Sequence, residues 1–420
     1  MLPDKQPPAP FTPEFYQDPY RTYTFLREYH PVYPTMLPST DERTWLISRY
    51  EDIRAVLVDH KRFSNSVSTS TPSFRIATDT VEFDPHDESV RLPPGVGLVD
   101  PPDHTRIRSR VSKAFTPRRI SQFAEVIRGL SEELLDKIDV EPGPVDILRR
   151  FAFTLPVAFL CELFGATGCN LDELVNDVWH VSPGADQHLT LEREELLQAR
   201  RSTRNVVDWS RDLIGRKRAD PGDDVLSDLL ALNEVEEELT EGELIVAIST
   251  ILVAGTDSLA YLLGNAFLGL LDHPDQMRLL QESPELAESA IEEFMRYEPP
   301  VSGTLWRFPR EDVTIAGVLI PAHEAVMLLL GSANRDPARF VHPETLDITR
   351  RDNPQIGFGQ GIHACFGAAL ARLEGKIALP MLVQRFPTMA LAVPRQEIRY
   401  RTIMVARALQ ALPVYLHGHP

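Results

Sequence analysis

The ten residues FGQGIHACFG, 358–367, place one cysteine among glycines and a histidine, directly before a helical pattern. The chain of 420 residues holds only Cys161, Cys169 and Cys365, which are too few for a disulfide framework in a domain of this length. A glycine-rich bend before a helix offers backbone N–H donors and a helix N-terminus, and both stabilise a thiolate. Cys365 is therefore either a buried structural thiol in a turn or a thiolate with a chemical role.

A second chemical feature is Asp257 with Ser258, in the middle of the apolar stretch 244–271. The stretch is long enough to cross a membrane, but a central aspartate costs about 2.5–3.5 kcal/mol on insertion. We therefore predict a buried helix of a soluble protein, which begins with a capping box formed by Thr240 and Glu243. In such a helix, the two polar side chains are either satisfied core groups or a proton-transferring acid and hydroxyl.

Composition limits the partners of the chain. The formal net charge is -18 and the pI is near 5.1. Such a surface as a whole repels nucleic acid and anionic lipid, so we expect neither a nucleic acid nor a membrane partner. The N-terminal stretch MLPDKQPPAPFTPEF lacks a basic region followed by an apolar run. We therefore expect no signal peptide and a cytoplasmic location.

The elements that must position these residues are mostly helical. TWLISRY, 44–50, has the pattern of a strand, and the following EDIRAVLVDHKRF has the pattern of a helix. Residues 64–101 predict a long loop without a helical period, and such loops are commonly functional. From 104 to about 295 the pattern predicts mainly helices.

The C-terminal part adds a small β portion. DVTIAGVLIPAHEAVMLLL, within residues 301–350, predicts two short strands around a Gly and a Pro turn. We find no repeat, low-complexity linker or composition break. The sequence therefore predicts one mainly helical domain with small β-sheets over 1–420, with a short flexible N-terminus at about 1–14.

The cysteine motif, extended to FGQGIHACFGAALAR, resembles the haem-ligand signature of the cytochrome P450 family, Phe-Gly-x-Gly-x-His-x-Cys-x-Gly followed by Leu-Ala-Arg. Glu293 and Arg296 of EEFMR resemble the Glu-x-x-Arg helix of this family, and Arg350 of LDITR lies where their partner is expected. Alone, a Glu–Arg pair at this spacing is a common salt bridge worth about 0.2–0.5 kcal/mol. Together with ANRDP at 333–337, the resemblance covers about 15–415.

The resemblance implies the single-domain cytochrome P450 fold with haem b as cofactor. Cys365 would be the thiolate ligand of the haem iron. Haem carries two propionates, which need cationic or hydrogen-bonding partners. Without the motif, the spacing of His104 and Arg108 would indicate an ordinary basic surface helix. The further cofactor contacts that the resemblance implies are His104, Arg108, Arg307, Phe358, Gly359 and His363.

The stretch AGTDS, 254–258, resembles the oxygen-binding segment of the family. By this resemblance, Asp257 would relay protons from solvent and Ser258 would hydrogen-bond dioxygen or its water. The family usually has threonine at the position of Ser258. Serine keeps the hydroxyl but lacks the methyl group that restricts its rotamer, so we expect looser coupling of oxygen use to product.

The implied activity is that of a haem-thiolate monooxygenase, which inserts one oxygen atom from O2 into a small organic substrate, by hydroxylation in natural-product biosynthesis. The chain shows no reductase domain, so electrons would come from an external ferredoxin and an NAD(P)H-dependent ferredoxin reductase. The alternatives are phenol coupling, nitration or dehydration at the same haem, or a haem-binding protein without turnover. Asp257 and Ser258 argue against the last of these.

Two surfaces follow from the same resemblance. HTRIRSRVSKAFTPRR, which starts at residue 104, has six Lys or Arg and no acid. Arg106, Arg110 and Lys113 lie on the face opposite Arg108, so we predict that they dock an acidic ferredoxin, unless they form a plain solvated face. The segments expected to enclose the substrate are 64–101, about 170–195, 247–258, 301–305 and 403–405.

Overall fold

The computed structural model describes residues 9–38, 40–79, 92–181, 192–236 and 239–418. Helices predominate, as predicted. In chain order the α-helices α1–α16 are Pro13–Gln17, Tyr20–Tyr29, Tyr50–Val58, Pro72–Asp79, Asp103–Ala114, Pro117–Ser121, Ala124–Asp139, Thr154–Leu163, Leu171–His180, Arg193–Ala219, Val225–Glu236, Glu241–Asp272, Pro274–Glu282, Ala287–Tyr297, Leu330–Ala333 and Ala368–Arg385. A π-helical segment, Leu148–Phe153, leads into α8.

Short strands form small sheets. The strands β1–β10 are Val32–Met36, Arg43–Ile47, Phe63–Ser64, Val145–Asp146, Phe308–Pro309, Val313–Ile315, Val318–Ile320, Ala325–Leu328, Ala390–Leu391 and Pro413–Tyr415. In the first sheet, β2 pairs antiparallel with β1 and parallel with β8, with Thr44 opposite Ala325. Strand β10 joins β4 to β9, while β3 pairs with β5 and β6 with β7. The β portion is thus confirmed as a minor part of a helical fold.

The predicted strand pair in DVTIAGVLIPAHEAVMLLL is wrong in number, because β6, β7 and β8 are three separate strands. Ala316 and Gly317 have φ angles of 47° and 80°, and this tight turn makes β6 and β7 a hairpin. The third strand, β8, pairs instead with β2, which precedes it by about 280 residues in the chain. Its partner therefore lies outside the range of any local sequence pattern.

The helix α12 (Glu241–Asp272), here called the central helix, runs through the core. Its capping box is confirmed: the Thr240 N–H donates to Glu243 Oε2 at 2.8 Å, and the Glu243 N–H donates to Thr240 Oγ1 at 3.3 Å. The helix is long and apolar enough to span a membrane, but 56% of its most apolar window is buried inside the protein. It is therefore a core helix, as predicted, although Ala254 and Gly255 at its middle are exposed.

The helix α14 (Ala287–Tyr297) carries the predicted Glu–Arg network. Glu293 and Arg296 are fully buried and form a bidentate ion pair, with both N···O distances 2.8 Å. Arg350 Nε donates to Glu293 Oε2 at 3.0 Å, and Arg296 Nη1 donates to the Pro343 carbonyl at 2.7 Å. The network is confirmed, and it anchors the segment that precedes the cysteine loop against α14.

The prediction of a long loop at 64–101 needs correction. Helix α4 (Pro72–Asp79) lies within these residues, and Phe74 of this helix packs edge-to-face on Trp306 and Phe308. Residues 80–91 of the predicted loop lie outside the described residues. Residues 1–8 of the predicted flexible N-terminus also lie outside them, and helix α1 begins at Pro13.

Candidate active site

The cysteine loop, residues 357–367, is held by its own backbone. The Cys365 N–H donates to the Phe358 carbonyl at 2.8 Å, which closes the bend. Gly359 and Gly361 have φ angles of 67° and 78°. At Gly361 a side chain is also sterically excluded, because a Cβ there would lie 2.5 Å from the Leu57 carbonyl oxygen. The loop thus fixes the position of the sulfur before any cofactor binds.

Burial of Cys365 disfavours a thiolate, whereas nearby N–H and guanidinium groups favour it. Burial among protein groups raises the pKa of the Cys365 thiol, while the N–H groups of Gly367 and Ala368 at the start of α16 favour the charged form. The Arg108 and Arg372 guanidinium groups act in the same direction as these amides. The side chain is nevertheless open to an interior cavity, where a metal cation would complete the stabilisation of the thiolate.

The residues beside the sulfur shape the same loop. Phe358 lines the cavity, and the Arg372 guanidinium lies 4.4 Å from its ring centroid. Arg372 is held by an ion pair with Glu292. Arg108 Nη2 donates to the Ala364 carbonyl at 2.6 Å, directly before the cysteine. These contacts tie the loop to α5 (Asp103–Ala114) and to α14.

Four basic residues gather at one end of the cavity. The ring centroids of His104 and His363 are 4.3 Å apart, and Arg307 is only 7% exposed. Burial and the neighbouring cations Arg307 and His104 lower the pKa of His363 to about 3. Burial lowers the pKa of Arg307 to about 10 and lowers the pKa values of His104 and Arg108 as well. This end of the cavity is therefore short of negative charge.

Counter-ions for this basic cluster are missing from the described part of the chain. There, neither Arg307 nor Arg108 forms an ion pair with a carboxylate, and both ring nitrogens of His104 are buried without a hydrogen bond of good geometry. Buried cationic groups in this state call for an anionic ligand. A cofactor with two carboxylates and a metal fits this donor set, because the basic residues would bind the carboxylates and the Cys365 thiolate would bind the metal.

The cavity is of the size of a small-molecule site. Its volume is about 350 Å³, and ordinary small-molecule sites measure about 300–1,000 Å³. Cys365, His363 and Arg307 line it on one side, and Ala254 and Gly255 of the central helix line it on the other. Of the predicted site residues, the chamber is thus lined by Arg307, Phe358, Gly359, His363, Cys365 and Ser258, and not by His104, Arg108 or Asp257.

The predicted substrate segments contribute unequally to this chamber. Asn65 and Gly97 from 64–101, the central helix, and Val301, Thr304 and Leu305 from 301–305 line it. Residues 403–405 do not line it and are buried in the core instead, and the described part of 170–195 is also absent from the walls. Residues 403–405 are therefore a correction to the prediction, whereas residues 182–191 of the segment 170–195 lie outside the described residues.

The distal pair occupies two different environments. Ser258 lines the cavity, and its Oγ donates to the Ala254 carbonyl at 2.6 Å. Asp257 is 3% exposed, does not line the cavity, and neither carboxyl oxygen has a hydrogen bond of good geometry from the described residues. Burial raises the pKa of Asp257 well above its usual range, against the opposing influence of Arg401 and Tyr261. Burial thus favours the protonated form of Asp257.

A second buried acid was missed from the sequence. Glu374 on α16 lines the cavity, is 3% exposed, and its Oε2 has no hydrogen bond with any described residue. Burial raises the pKa of Glu374 well above its usual range. The available signal was an acid at the apolar face of LARLEGKIALPML, nine residues after Cys365. A sequence alone does not show which face of that helix meets the cavity.

The predicted docking face on α5 is also wrong in part. Arg106 forms an ion pair with Glu243 of the central helix at 2.5 Å, and Arg110 is only 5% exposed. Of the three basic residues, Lys113 is the exposed one. The charge of this helix is therefore used largely inside the protein, and Arg106 and Arg110 do not form an exposed docking face.

The comparisons with known proteins agree with this site. The family model "Cytochrome P450" matches residues 17–405. A vitamin D(3) 25-hydroxylase of Pseudonocardia autotrophica is 38% identical over 96% of this chain and 95% of its own length. The 6-deoxyerythronolide B hydroxylase of Saccharopolyspora erythraea is 36% identical, over 96% of this chain and 97% of its own.

A solved structure gives the same result for the fold. The tirandamycin C-bound P450 monooxygenase TamI is 34% identical, with a TM-score of 0.83 over 97% of this chain and 100% of that chain. This chain belongs to the cytochrome P450 family. It is an oxidoreductase of the monooxygenase class in secondary metabolism, with haem b as its cofactor, and it uses a small-molecule substrate and a redox partner.

Proposed function

We propose that Cys365 ligates the haem iron and that the basic cluster holds the two propionates. Arg108 and Arg307 supply the positive charge, His104 and His363 supply ring N–H donors, and Phe358 and Gly359 give the loop its close approach to the ring. The observation that carries this assignment is Arg307, which is buried in the same chamber as the sulfur and forms no carboxylate ion pair within the described part of the chain. When bound, the haem supplies oxygen activation and transfer to a C–H bond.

The protein side of the reaction is proton supply. Burial disfavours the carboxylate of Asp257 and so favours its protonated form. Ser258 uses its hydrogen on the Ala254 carbonyl, so its oxygen is free to accept a hydrogen bond from water in the cavity. We infer that Ser258 positions a water molecule and that Asp257 replaces the protons which this water gives up.

The polar groups that influence the Asp257 carboxyl are Tyr261 and Arg401. Arg401 Nη1 donates to the Tyr261 hydroxyl at 3.2 Å, and both groups influence the Asp257 carboxyl. The Arg401 guanidinium lies 4.9 Å from the ring centroid of Trp179, and Arg149 stacks over the same ring at 4.8 Å. A rotation of Asp257 from this polar group towards Ser258 would bring a proton to the cavity.

The substrate we propose is a largely apolar natural product that is hydroxylated at a C–H bond. Besides the cofactor contacts, the chamber walls are mostly aliphatic and aromatic, as at Phe115, Leu160 and Leu262, with single hydrogen-bonding groups at Asn65 and Thr304. The named relatives hydroxylate vitamin D(3) and 6-deoxyerythronolide B. Apolar walls with a few polar groups select shape and orient one face of a ligand.

Electron delivery completes the proposal. We infer that an external ferredoxin and its NAD(P)H-dependent reductase supply the electrons, that the protein acts in the cytoplasm, and that 1–420 is one domain. Since Arg106 and Arg110 are engaged inside the fold, only Lys113 of the three predicted residues is exposed, and docking needs further residues beside it.

The test combines a spectrum with isotope labelling. The reduced carbon monoxide adduct should show the strongly red-shifted Soret band of a thiolate-ligated haem. With ferredoxin, reductase and NAD(P)H, labelled O2 should place one labelled oxygen atom in the product of a macrolactone or sterol substrate. An unshifted band would refute the ligand assignment, and an unlabelled oxidised product would indicate coupling or dehydration at the same site.

A further inference from the structure

Two cysteines outside the cofactor loop lie side by side. Cys161 is in the last turn of α8 (Thr154–Leu163), and Cys169 lies just before α9 (Leu171–His180). Both are free thiols, and the Cys169 thiol donates a hydrogen bond to Cys161 Sγ with the sulfur atoms 3.3 Å apart. Neither residue lines the haem chamber, so the pair has no part in the site described above.

The turn between the two cysteines is firmly packed. Gly165 has a φ angle of 60°, and the Ala166 N–H donates back to the Cys161 carbonyl at 2.8 Å. A Cβ at Gly165 would lie 2.4 Å from Lys217 Nζ and 2.5 Å from Asp224 Oδ2. These two groups form an ion pair at 2.7 Å, against which the turn is seated. The packing of this turn therefore holds the two sulfur atoms close together.

The geometry suits a reversible disulfide. A disulfide bond is about 2.05 Å long, so the thiols need a further approach of roughly 1 Å, which side-chain rotation can supply. Cys161 is 6% exposed, whereas Cys169 is half-buried. Burial also raises the pKa of the Cys161 thiol. Cys169 is thus the sulfur that an oxidant reaches first, and Cys161 is the partner held ready for the second step.

We propose that Cys161 and Cys169 are a modification site: a dithiol that hydrogen peroxide, the by-product of oxygen activation without product formation, oxidises to a disulfide. The Cys169 sulfur attacks peroxide, the O–O bond breaks, one oxygen leaves as water, and the other remains as a sulfenic acid. The Cys161 sulfur then displaces this hydroxyl group, the S–S bond forms, and a second water leaves. Two thiols and one peroxide give one disulfide and two waters, with sulfur oxidised and peroxide oxygen reduced.

The helix that carries Cys161 also borders the chamber. Leu160, the neighbour of Cys161 in α8, lines the chamber. A Cβ on Gly255 of the central helix would meet Leu160 Cδ1 at 3.4 Å, so α8 packs directly on the segment of the central helix that lines the chamber. Cys161 thus directly follows, in the chain, a residue of the chamber wall.

The experiment treats the holoenzyme with increasing hydrogen peroxide, alkylates the remaining thiols, and maps tryptic peptides by mass. Both cysteines fall in one peptide, residues 151–193, and Cys365 falls in another, residues 352–372. The doubly alkylated 151–193 peptide should be replaced by an unalkylated form. This form should be two hydrogens lighter than the same peptide with two free thiols. Dithiothreitol before alkylation should restore the doubly alkylated form. The reading does not depend on substrate turnover, so it stands apart from any test of hydroxylation.

Two single variants test the order of events. In Cys161→Ser, oxidation should stop at a Cys169 sulfenic acid, which a diketone reagent labels. In Cys169→Ser, Cys161 should stay alkylatable at the same peroxide dose because it is buried. The proposal is overturned if the wild-type pair stays alkylatable when the haem-thiolate spectrum is already lost, or if it oxidises singly to sulfinic and sulfonic acids. Equal oxidation of Cys161 in Cys169→Ser would overturn it as well.

Discussion

The groups that hold the cysteine loop have hydrogen-bond partners, whereas two buried polar side chains at the middle of the central helix have no good ones in the described part of the chain. The Cys365 N–H, the Arg108 guanidinium and the Glu293–Arg296 pair all make hydrogen bonds within the fold, although His104 and Glu374 on the same side keep buried atoms without good hydrogen bonds from the described residues. Across the chamber, Thr256 Oγ1 and both Asp257 oxygens are buried without good hydrogen bonds from the described residues.

This difference matches two tasks, which are positioning of the sulfur on the cysteine side and proton exchange on the central-helix side. A buried polar group without a partner costs about 1–3 kcal/mol, so a fold keeps such groups only where they serve another purpose. The cysteine side must hold one sulfur in one place, and paired groups achieve this. The central-helix side must exchange protons and water during turnover, and unpaired groups remain available for that exchange. The same contrast predicts how variants on the two sides should differ.

The largest expected effect is at Cys365. Cys365→Ala should abolish the red-shifted carbon monoxide band completely, because no other residue lining the described chamber offers an anionic sulfur to the iron. Cys161→Ala is the matched control and should keep the band. Loss of the band in Cys161→Ala with retention in Cys365→Ala would reverse the ligand assignment.

The next effect is on stability. Glu293→Gln leaves the fully buried Arg296 without a compensating charge, so the free energy of unfolding of the holoenzyme should fall by about 3–5 kcal/mol. Urea denaturation measures this. Glu133→Gln, which breaks the exposed Lys137 pair, is the control and should cost at most about 1 kcal/mol. Similar losses in both variants would show that the buried network does not brace the cysteine side.

On the opposite wall, Asp257→Asn should lower the turnover rate by at least about 100-fold, as expected for loss of a general acid. The free energy of unfolding of this variant at pH 7 should rise. Because the pKa of Asp257 is raised in the folded protein, the wild type loses stability as pH rises above about 4, and the amide avoids this loss.

Asp272→Asn is the control on the same helix, since Asp272 lies at its last residue and pairs with Arg395 at 2.8 Å on the surface. It should leave turnover unchanged. The two readouts are the rate at saturating substrate and urea denaturation at pH 7. If Asp257→Asn keeps the rate and loses stability, Asp257 is a structural group and the contrast between the walls fails.

The sequence predicted the features that depend on residues close together in the chain, and not those that depend on distant elements. The cysteine loop, the Glu–Arg pair and the Thr240 capping box are local patterns of ten residues or fewer, and the structure shows all three. The burial of Arg110, the side on which Asp257 lies and the cavity position of Glu374 depend on which distant elements cover each helix face. Helical periodicity gives the faces but not their neighbours.

The smallest effect is expected at Ser258, and it separates stability from coupling. Ser258→Ala removes a hydroxyl bonded to the Ala254 carbonyl, which should change the free energy of unfolding by no more than about 1 kcal/mol. It also removes the acceptor that positions water in the cavity, so product formed per oxygen consumed should fall while peroxide release rises. Haem content and substrate affinity should stay nearly unchanged.

Ser258→Thr makes this test sharper. A threonine keeps the hydroxyl, and its methyl group restricts χ1, so product per oxygen should rise above wild type if looseness of the serine limits coupling. The measurement is the ratio of product to oxygen consumed for wild type, Ser258→Ala and Ser258→Thr at saturating substrate. Equal ratios in wild type and Ser258→Ala would mean that water or substrate makes the needed hydrogen bond unaided. The hydroxyl would then serve only its own helix turn, and proton delivery on the central-helix side would rest on Asp257.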